Sequence, residues 1–531
     1  MKKKIYKKTM AFIVCLIVTS AAVILLLFRY YNLFRDTTQT ILPNDRPVNT
    51  ETDKNTQKLF SEVEKLVSKK MNEAMIPGLS VAIVKDGETL YKSGFGYADL
   101  DSGKEVTSDT LFQLGSNSKA FTALGVFQLQ KDGLIDLQDP ISKSIPWLKL
   151  YYDGKEANVK TEEFLHHTSG ISSNTLDKIP ELTEENEDAI EKTVRTLVGL
   201  QLVNKPGEKY EYATINYDVL GLLIETASGM KYEDYIQKYV LNTAGLRNTY
   251  MYRSRIDANE MASGYKIGFF SPQYYEAPGY EGNKPAGYII SNANDMAEWL
   301  KIQMGTSTSS SLDNELVEET HIPNLSVATF GKGMNYAAGW IVYSNDGTEI
   351  LHSGSNPNYS SFIVFRPEER IGIAVLCNIK SPYTLDIAQS VMELLLQNQN
   401  SSDDVVDYNL KIDMVCVIIL LISILVACLT IYPLIRSVCQ LVRKEKKLPL
   451  YNKKKIIKIF IMSIIFLLLN CILYFLPYFL FNRVTWNYIF IWYPVTVEVA
   501  LYSIYICLWL LYFNVVSLYI RGTFHSFTGS H

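Results

Sequence analysis

The sequence predicts an α+β domain that is attached to a membrane by one N-terminal and three C-terminal helices. Residues 58–400 combine a first helix, an early hairpin, a largely helical middle and a late run of strands, as α+β domains do. Apolar runs lie on both sides of this region, at 9–28 and from 413 onward. The predicted order is an anchor over 1–35, a linker over 36–57, the domain over 58–400, a linker over 401–412 and a membrane region over 413–531.

Periodicity and turn residues predict the elements of the domain. Apolar residues repeat at helical spacing over 58–75. Asp86-Gly87 separates two β-like runs at 79–84 and 89–96, which is typical of a hairpin. Further helices are predicted over 117–131, 161–165, 188–200, 217–226, 294–303 and 384–396, and further strands over 337–343, 349–352, 360–366 and 371–377.

Composition excludes several classes of function. The net charge of the 531 residues is −4, which is too small to indicate a nucleic-acid partner. Of the seven cysteines only Cys377 lies within 58–400, so this region has no internal disulfide. The chain has no CxxC or HExxH spacing, and we expect no metal and no other cofactor.

The charges around the apolar runs predict the membrane topology. Several lysines precede the run at 9–28, which favours a cytoplasmic N-terminus and an uncleaved anchor; small residues at 20–22 leave a cleaved signal peptide as the alternative. Three further spans are predicted over 413–435, 459–480 and 495–519. The loop between the first two of these carries nine positive residues against the single Glu445, a strong cytoplasmic signal. We therefore expect a multi-pass protein of the cell membrane, in contact with the lipid bilayer, with 36–412 outside the cell.

The pattern Ser-x-x-Lys occurs three times, and one copy has the context that nucleophilic catalysis requires. A serine and a lysine three residues apart on a helix lie on one face, where the amine can assist the hydroxyl. Ser116 and Lys119 stand at the start of the predicted helix 117–131, where the helix dipole favours an oxyanion. The other copies, at Ser228 and Ser263, have glycine directly after the serine. The pattern alone is also compatible with an N-cap serine and an exposed lysine.

Four segments in order make the pattern specific. They are LGSNSKAFT at 114–122, LHHTSGI at 165–171, PGEKYEYATINY at 206–217, and HSG at 352–354 with the strands that follow. Together they resemble the motifs of class C β-lactamases and related penicillin-binding proteins, in that family's order and over about 58–400. The resemblance implies a serine β-lactamase/penicillin-binding-protein-like domain, with an antiparallel sheet flanked by helices and a helical lobe.

The resemblance also implies roles in acid–base chemistry. Tyr212 would be a second base, with its phenol near the Ser116 hydroxyl and the Lys119 amine. The family usually has asparagine two residues after this tyrosine, and this chain has Thr214. Thr214 is a candidate substrate-binding residue that offers a shorter hydroxyl in place of the family's amide. His167 belongs to a segment that is structural in the family, and we expect it to lie outside the site.

The third motif is expected on the substrate side of the site. The family's Lys-Thr-Gly reads His352-Ser353-Gly354 here, the form found in esterase and peptidase relatives. His352 would help to hold the substrate and polarise the site. Backbone N–H groups of Ser116 and Ser355 would form the oxyanion hole.

These observations lead to a functional expectation with open alternatives. The chain is expected to be an acyl-enzyme serine hydrolase that acts on amides or esters next to D-amino acids in the cell envelope. Its overall architecture resembles membrane-anchored members of the family with three C-terminal helices. One alternative is a peptidase that matures a D-amino-acid prodrug, and another is a non-catalytic penicillin-binding sensor or wall protein, because fold alone does not fix the substrate.

The topology can be tested with reporter fusions. A reporter fused near Lys446, in the basic loop, is expected to behave as cytoplasmic, because clusters of lysine and arginine are retained on that side. A matched fusion near Asp403 is expected to behave as external. An external reporter at Lys446 would contradict the whole predicted orientation.

Overall fold

The computed structural model describes most of the chain. It covers residues 40–45, 53–182, 188–331, 333–344, 347–397, 405–443, 453–480 and 483–520. The predicted N-terminal helix, most of the first linker, Lys444–Lys447 of the basic loop and the tail beyond residue 520 lie outside the described residues.

The described elements have the following bounds. The helices are α1 Lys54–Ala74, α2 Ser118–Lys131, α3 Thr161–Leu165, α4 Ala189–Arg195, α5 Asn216–Ser228, α6 Tyr232–Ile236, α7 Asn242–Ala244, α8 Lys284–Gly287, α9 Ala293–Gln303, α10 Asn314–Thr320, α11 Tyr383–Leu396, α12 Tyr408–Val442, α13 Lys453–Leu480, α14 Trp486–Trp492 and α15 Val495–Ile520. The strands are β1 Gly78–Lys85, β2 Glu88–Asp99, β3 Lys104–Glu105, β4 Phe112–Gln113, β5 Tyr151–Tyr152, β6 Lys155–Glu156, β7 Tyr265–Gly268, β8 Ser271–Tyr274, β9 Ile290–Ser291, β10 Met334–Tyr336, β11 Ile341–Ser344, β12 Thr348–Ser355, β13 Ser360–Arg366 and β14 Ile371–Cys377.

Residue contacts divide the chain into two units. The first contains the described residues of 38–266 and 272–407, and the second contains 267–271 and those from 408 onward. The second unit holds three helices that are long and apolar enough to cross a membrane, over Tyr408–Gln440, Lys453–Leu480 and Val495–Ser517. The first of these begins at Tyr408, within the stretch 401–412 that the sequence predicts as a linker.

The first unit is built on an eight-stranded antiparallel sheet. Its order is β10-β11-β12-β13-β14-β1-β2-β3, so the late strands pair with the early hairpin. The predicted hairpin is confirmed: β1 and β2 pair around Asp86 and Gly87, whose φ angles of 53° and 83° suit a tight turn. Strands β13 and β14 are buried along their whole length, so the centre of the sheet is covered on both faces.

Helix α2 runs through the core rather than along its surface. Phe121, Leu124 and Leu129 face inward as predicted, and most other residues of the helix are buried as well. A helix that is buried all round must be covered on every side by other elements. One such contact is the stacking of Phe121 on Trp299, with ring centroids 4.0 Å apart. These contacts fix the position of the start of α2, which contains Lys119.

One predicted strand is wrong. The stretch 337–343 is not a single strand, because a turn closed by the Ala337 N–H and the Trp340 carbonyl separates β10 from β11. Gly339 in this turn has a φ of 80°, which other residues rarely adopt. A side chain at Gly339 would collide with the backbone of Lys119 and Ala120. The turn thus brings the sheet edge against the start of α2.

Candidate active site

Two glycines set the position of the proposed nucleophile. Ser116 lies in a short 3-10 turn, Gly115–Asn117, immediately before α2. Gly115 has a φ of 55°, and a Cβ there would collide with the backbone nitrogen of Ser355. A Cβ on Gly354 would collide with the Leu114 carbonyl. Backbone therefore packs directly on backbone, and the Ser355 nitrogen is held beside the turn that carries Ser116.

Lys119 is buried and directs its amine at three oxygens. Its Nζ lies 3.0 Å from Ser116 Oγ, 3.0 Å from Thr214 Oγ1 and 2.7 Å from the Ala286 carbonyl oxygen. An ammonium has three N–H donors, so each of them has an acceptor. The structure thus brings the two residues of the Ser116–Lys119 pair together, and it places Thr214 against the lysine.

The surroundings of Lys119 favour the neutral amine. Burial lowers the pKa of Lys119 from 10.5 to about 7, and the negative charge of Asp218 opposes part of that effect. At neutral pH a large share of the molecules therefore carries an unprotonated amine. Such an amine has a lone pair that can accept the proton of the Ser116 hydroxyl, 3.0 Å away.

Tyr212 completes the contacts of the Ser116 hydroxyl. The phenol donates to Ser116 Oγ at 2.9 Å, and the Lys119 amine lies 5.2 Å from the centre of the tyrosine ring. Burial raises the pKa of Tyr212 well above its usual value, and the bond to Ser116 offsets only part of this. Tyr212 is therefore a neutral phenol at rest, which suits proton relay better than removal of the first proton.

His352 lies beside Tyr212, with ring centroids 6.2 Å apart, and its imidazole is neutral. The ring is buried, its Nδ1 donates to the Ser353 carbonyl at 2.8 Å, and its Nε2 accepts from the Tyr336 hydroxyl at 3.0 Å. Burial lowers the pKa of His352 to about 3, and the charge of Lys119 adds to the effect. Because β12 alternates, Ser353 and Ser355 are exposed while His352 and Gly354 are buried. The role of His352 in holding a substrate stays a prediction.

His167 contacts Tyr212 and two of the residues that follow it. Its Nδ1 accepts from the Ala213 N–H at 3.3 Å and from the Asn216 amide at 3.0 Å. Its ring packs against Tyr212 with centroids 4.2 Å apart. These contacts are what a structural residue makes, in line with the expectation for this histidine.

The other two Ser-x-x-Lys pairs have different partners. Ser228 donates to the Ile224 carbonyl at 2.6 Å, and Lys231 lies 3.9 Å from Glu225. Ser263 donates to Asp99 at 2.7 Å, while the Lys266 ammonium lies over the Tyr275 ring. Each of these serines is thus engaged with a group other than its lysine.

Three contributors to the site were missed at the sequence level. The Ala286 carbonyl is a backbone group, and no side-chain pattern in the sequence predicts its role. The buried Asn117 contacts Ser361 Oγ at 2.7 Å and can donate to the His352 carbonyl at 3.1 Å, which ties the nucleophile turn to β12 and β13. Tyr336 contacts His352 from β10, which ends before the strand predicted over 337–343 begins.

No cluster of three histidine, cysteine, aspartate or glutamate side chains suited to a metal ion occurs among the described residues.

The comparisons with known proteins agree with this geometry. The sequence model of the family described as Beta-lactamase matches residues 63–395. The chain belongs to the β-lactamase family. The match covers almost the whole of the domain predicted over 58–400, and it contains every residue of the candidate site. The resemblance to the serine β-lactamase/penicillin-binding-protein-like family, inferred from the four motifs, is thereby confirmed, whereas the assignment to class C stays a prediction.

The similarity to one relative extends beyond the domain. The chain is 27% identical over 448 residues to protein flp of Staphylococcus aureus strain MW2, with coverage of 84% of this chain and 88% of the relative. The architecture predicted from the sequence pointed to the same relative. The chain is also 28% identical over 364 residues to an unguisins hydrolase of Aspergillus violaceofuscus, covering 62% of this chain and 63% of that protein.

Solved structures show the same fold. One is the octameric penicillin-binding protein homologue from Pyrococcus abyssi, with a TM-score of 0.57, 30% identity, and coverage of 64% of this chain and 78% of that one. Another is EstCE1, a hydrolase with promiscuous acyltransferase activity, with a TM-score of 0.56, 21% identity, and coverage of 64% and 100%. At its level of identity EstCE1 supports the fold alone.

The nucleophile assignment predicts a clear pattern among single mutants. Ser116→Ala and Lys119→Ala are each expected to lower the rate of acylation by roughly 1,000-fold or more, because the two groups act as one unit. For the same reason the double mutant is expected to be little worse than either single mutant. The measurement is the acylation rate of the full chain with a fluorescent penicillin or an activated ester.

The chain offers matched controls for these mutants. Ser228→Ala and Ser263→Ala remove the serines of the other two Ser-x-x-Lys pairs, which donate to the Ile224 carbonyl and to Asp99. Both variants are expected to acylate at the rate of the unmodified chain. Full activity in Ser116→Ala would overturn the assignment.

Proposed function

We propose that the protein is a membrane-anchored extracytoplasmic serine hydrolase that acts on amides or esters next to D-amino acids in the cell envelope. The proposal rests above all on the Ser116 hydroxyl, which lies 3.0 Å from an amine with a lowered pKa and 2.9 Å from a phenol. Membership of the β-lactamase family and the hydrolases among its relatives support the reaction class.

Acylation follows from these distances. The neutral Lys119 amine takes the proton of Ser116, and Oγ attacks the carbonyl carbon of the substrate. The oxygen that becomes negative would accept hydrogen bonds from the backbone N–H groups of Ser116 and Ser355. The proton on Lys119 passes through Tyr212 to the leaving nitrogen or oxygen, and the bond to the leaving group breaks. Water then releases the acyl group, with the same bases acting in reverse.

The neutral His352 favours substrates without a free carboxylate. A lysine at this position would provide a fixed point charge for a carboxylate, whereas a buried imidazole with a pKa near 3 provides none at neutral pH. The exposed hydroxyls of Ser353 and Ser355 offer neutral donors at the same edge. We therefore favour D-amino-acid amides and esters over β-lactams and over peptides with a free terminal carboxylate.

The membrane helices support an extracytoplasmic location for the reaction. Three helices of the described chain are apolar and long enough to span a bilayer, and the basic loop after the first of them favours the cytoplasm. The hydrolase domain precedes that first helix and would face the outside, where cell-wall peptides and D-alanyl esters are found. A non-catalytic sensor is disfavoured because the Lys119 amine and the Tyr212 phenol both lie within hydrogen-bonding distance of the Ser116 hydroxyl.

The substrate class can be tested with matched substrates. We expect the full chain in detergent to hydrolyse a D-alanyl ester or an N-acyl-D-asparaginyl amide faster than nitrocefin. We also expect it to prefer a D-alanyl peptide amide over the same peptide with a free carboxylate by about tenfold, the effect of one charge-assisted hydrogen bond.

Ser116→Ala serves as the blank for every substrate in this series. His352→Lys introduces an amine whose charged form a bound carboxylate favours, and it is expected to narrow the preference for the amide over the free carboxylate. Hydrolysis of nitrocefin faster than every ester and amide in the panel would contradict the charge argument.

A further inference from the structure

The buried carboxyl group of Asp218 interacts electrostatically with Lys119. Asp218 is on α5, one residue after Tyr217, and none of its surface is exposed. Its Oδ2 accepts a hydrogen bond from the Asn283 amide at 2.6 Å. Its Oδ1 is buried without a hydrogen-bond partner among the described residues. A carboxylate with a single bond in the core is costly unless a positive charge lies nearby.

Of the described charged and titratable groups around Asp218, Lys119 is the one that can compensate the negative charge of the carboxylate. Lys284, next to Asn283, is already paired with Glu233 at 3.1 Å and with Glu281. The phenols of Tyr232 on α6 and Tyr288 after α8 also feel the Asp218 charge, but burial keeps both neutral. Lys119 lies on α2, which packs against α5, and among the described residues it is the remaining cation whose charge acts on Asp218.

Asp218 is also connected to Lys119 through the chain. Its partner Asn283 precedes α8, and the Ala286 carbonyl of α8 accepts a hydrogen bond from Lys119 at 2.7 Å. The Pro285 carbonyl accepts from Thr122, one turn after Lys119, at 2.6 Å. A hydrogen bond from Asn283 to Asp218 therefore helps to fix the carbonyl on which the lysine depends.

We propose that Asp218 is a positioning residue that sets the proton balance of Lys119, through its charge and through its hold on Asn283. The proposal rests on the role of Lys119 in the proposed function. All three N–H donors of the ammonium have other acceptors, so Asp218 acts at a distance rather than by direct hydrogen bonding. The buried pair is expected to share one proton, on the amine or on the carboxyl, rather than to titrate as two independent groups.

The direction in which Asp218 changes the pKa of Lys119 follows from two opposing influences. Burial disfavours the ammonium, and the Asp218 carboxylate favours it. The histidines on the other side, His167 and His352, are neutral because burial lowers their pKa values. Removing the charge of Asp218 should therefore lower the pKa of Lys119 further and make the amine a weaker base.

The test is a direct titration of Lys119 without any substrate. Full-length protein in detergent micelles carries lysine labelled with carbon-13 at Cε, and the spectrum of Lys119→Arg identifies the signal. The midpoint for the unmodified chain is expected at about 7. In Asp218→Asn, whose amide oxygen can still accept from Asn283, the midpoint is expected about one pH unit lower.

A buried carboxylate nearby gives the control. Glu233→Gln removes a negative charge that is paired with Lys284, and it is expected to leave the midpoint of Lys119 unchanged. A midpoint in Asp218→Asn equal to that of the unmodified chain would overturn the proposal. Because no substrate is used, this result is independent of whether the proposed substrate class is right.

A second variant covers the case in which Asp218→Asn does not fold. Asn283→Ala removes the hydrogen bond that stabilises the carboxylate, so Asp218 should hold its proton more tightly and support the ammonium less. The Lys119 midpoint is then expected to shift in the same direction by a smaller amount. An unchanged midpoint in a folded Asn283→Ala protein would contradict the proposal.

Discussion

The proposed chemistry of this protein depends on the burial of one amine. Lys119 lies on a helix that is covered on all sides, and water cannot stabilise its charge there. Three acceptors keep the amine in place, whereas the low-polarity surroundings lower its pKa to about 7. A surface lysine with the same spacing from a serine would stay protonated and could not act as a base. The packing that buries Lys119 is therefore also what would allow its amine to act as a base.

Close backbone contacts make that burial possible. Gly115, Gly339 and Gly354 each lie where a side chain would collide with a neighbouring segment of backbone. The first and third bring β12 against the nucleophile turn, and the second brings the turn between β10 and β11 against the residues after Ser116. Without these close backbone contacts, water would enter the site and the pKa of Lys119 would move back toward 10.5.

Local signals in the sequence predicted much of the fold and the centre of the site. The Asp86-Gly87 hairpin and the pairing of Ser116 with Lys119 both depend on short spacings with direct geometric consequences. The break in 337–343 was missed because Gly339 is required by a contact with a distant helix, not by its neighbours in the chain. The Ala286 carbonyl and Asp218 were missed for a related reason: one carries no side-chain signal, and the other looks like an ordinary acid in the first turn of a helix.

The pH dependence of acylation tests the central claim most directly. The first-order rate at which the unmodified full chain is acylated by an activated ester would be followed between about pH 5 and pH 10. A neutral Lys119 as the base predicts a rate that rises with a midpoint at about 7 and is level above it, because the base is active only when deprotonated. A midpoint close to 10.5, the ordinary value for lysine, or a rate that does not change with pH, would contradict the account.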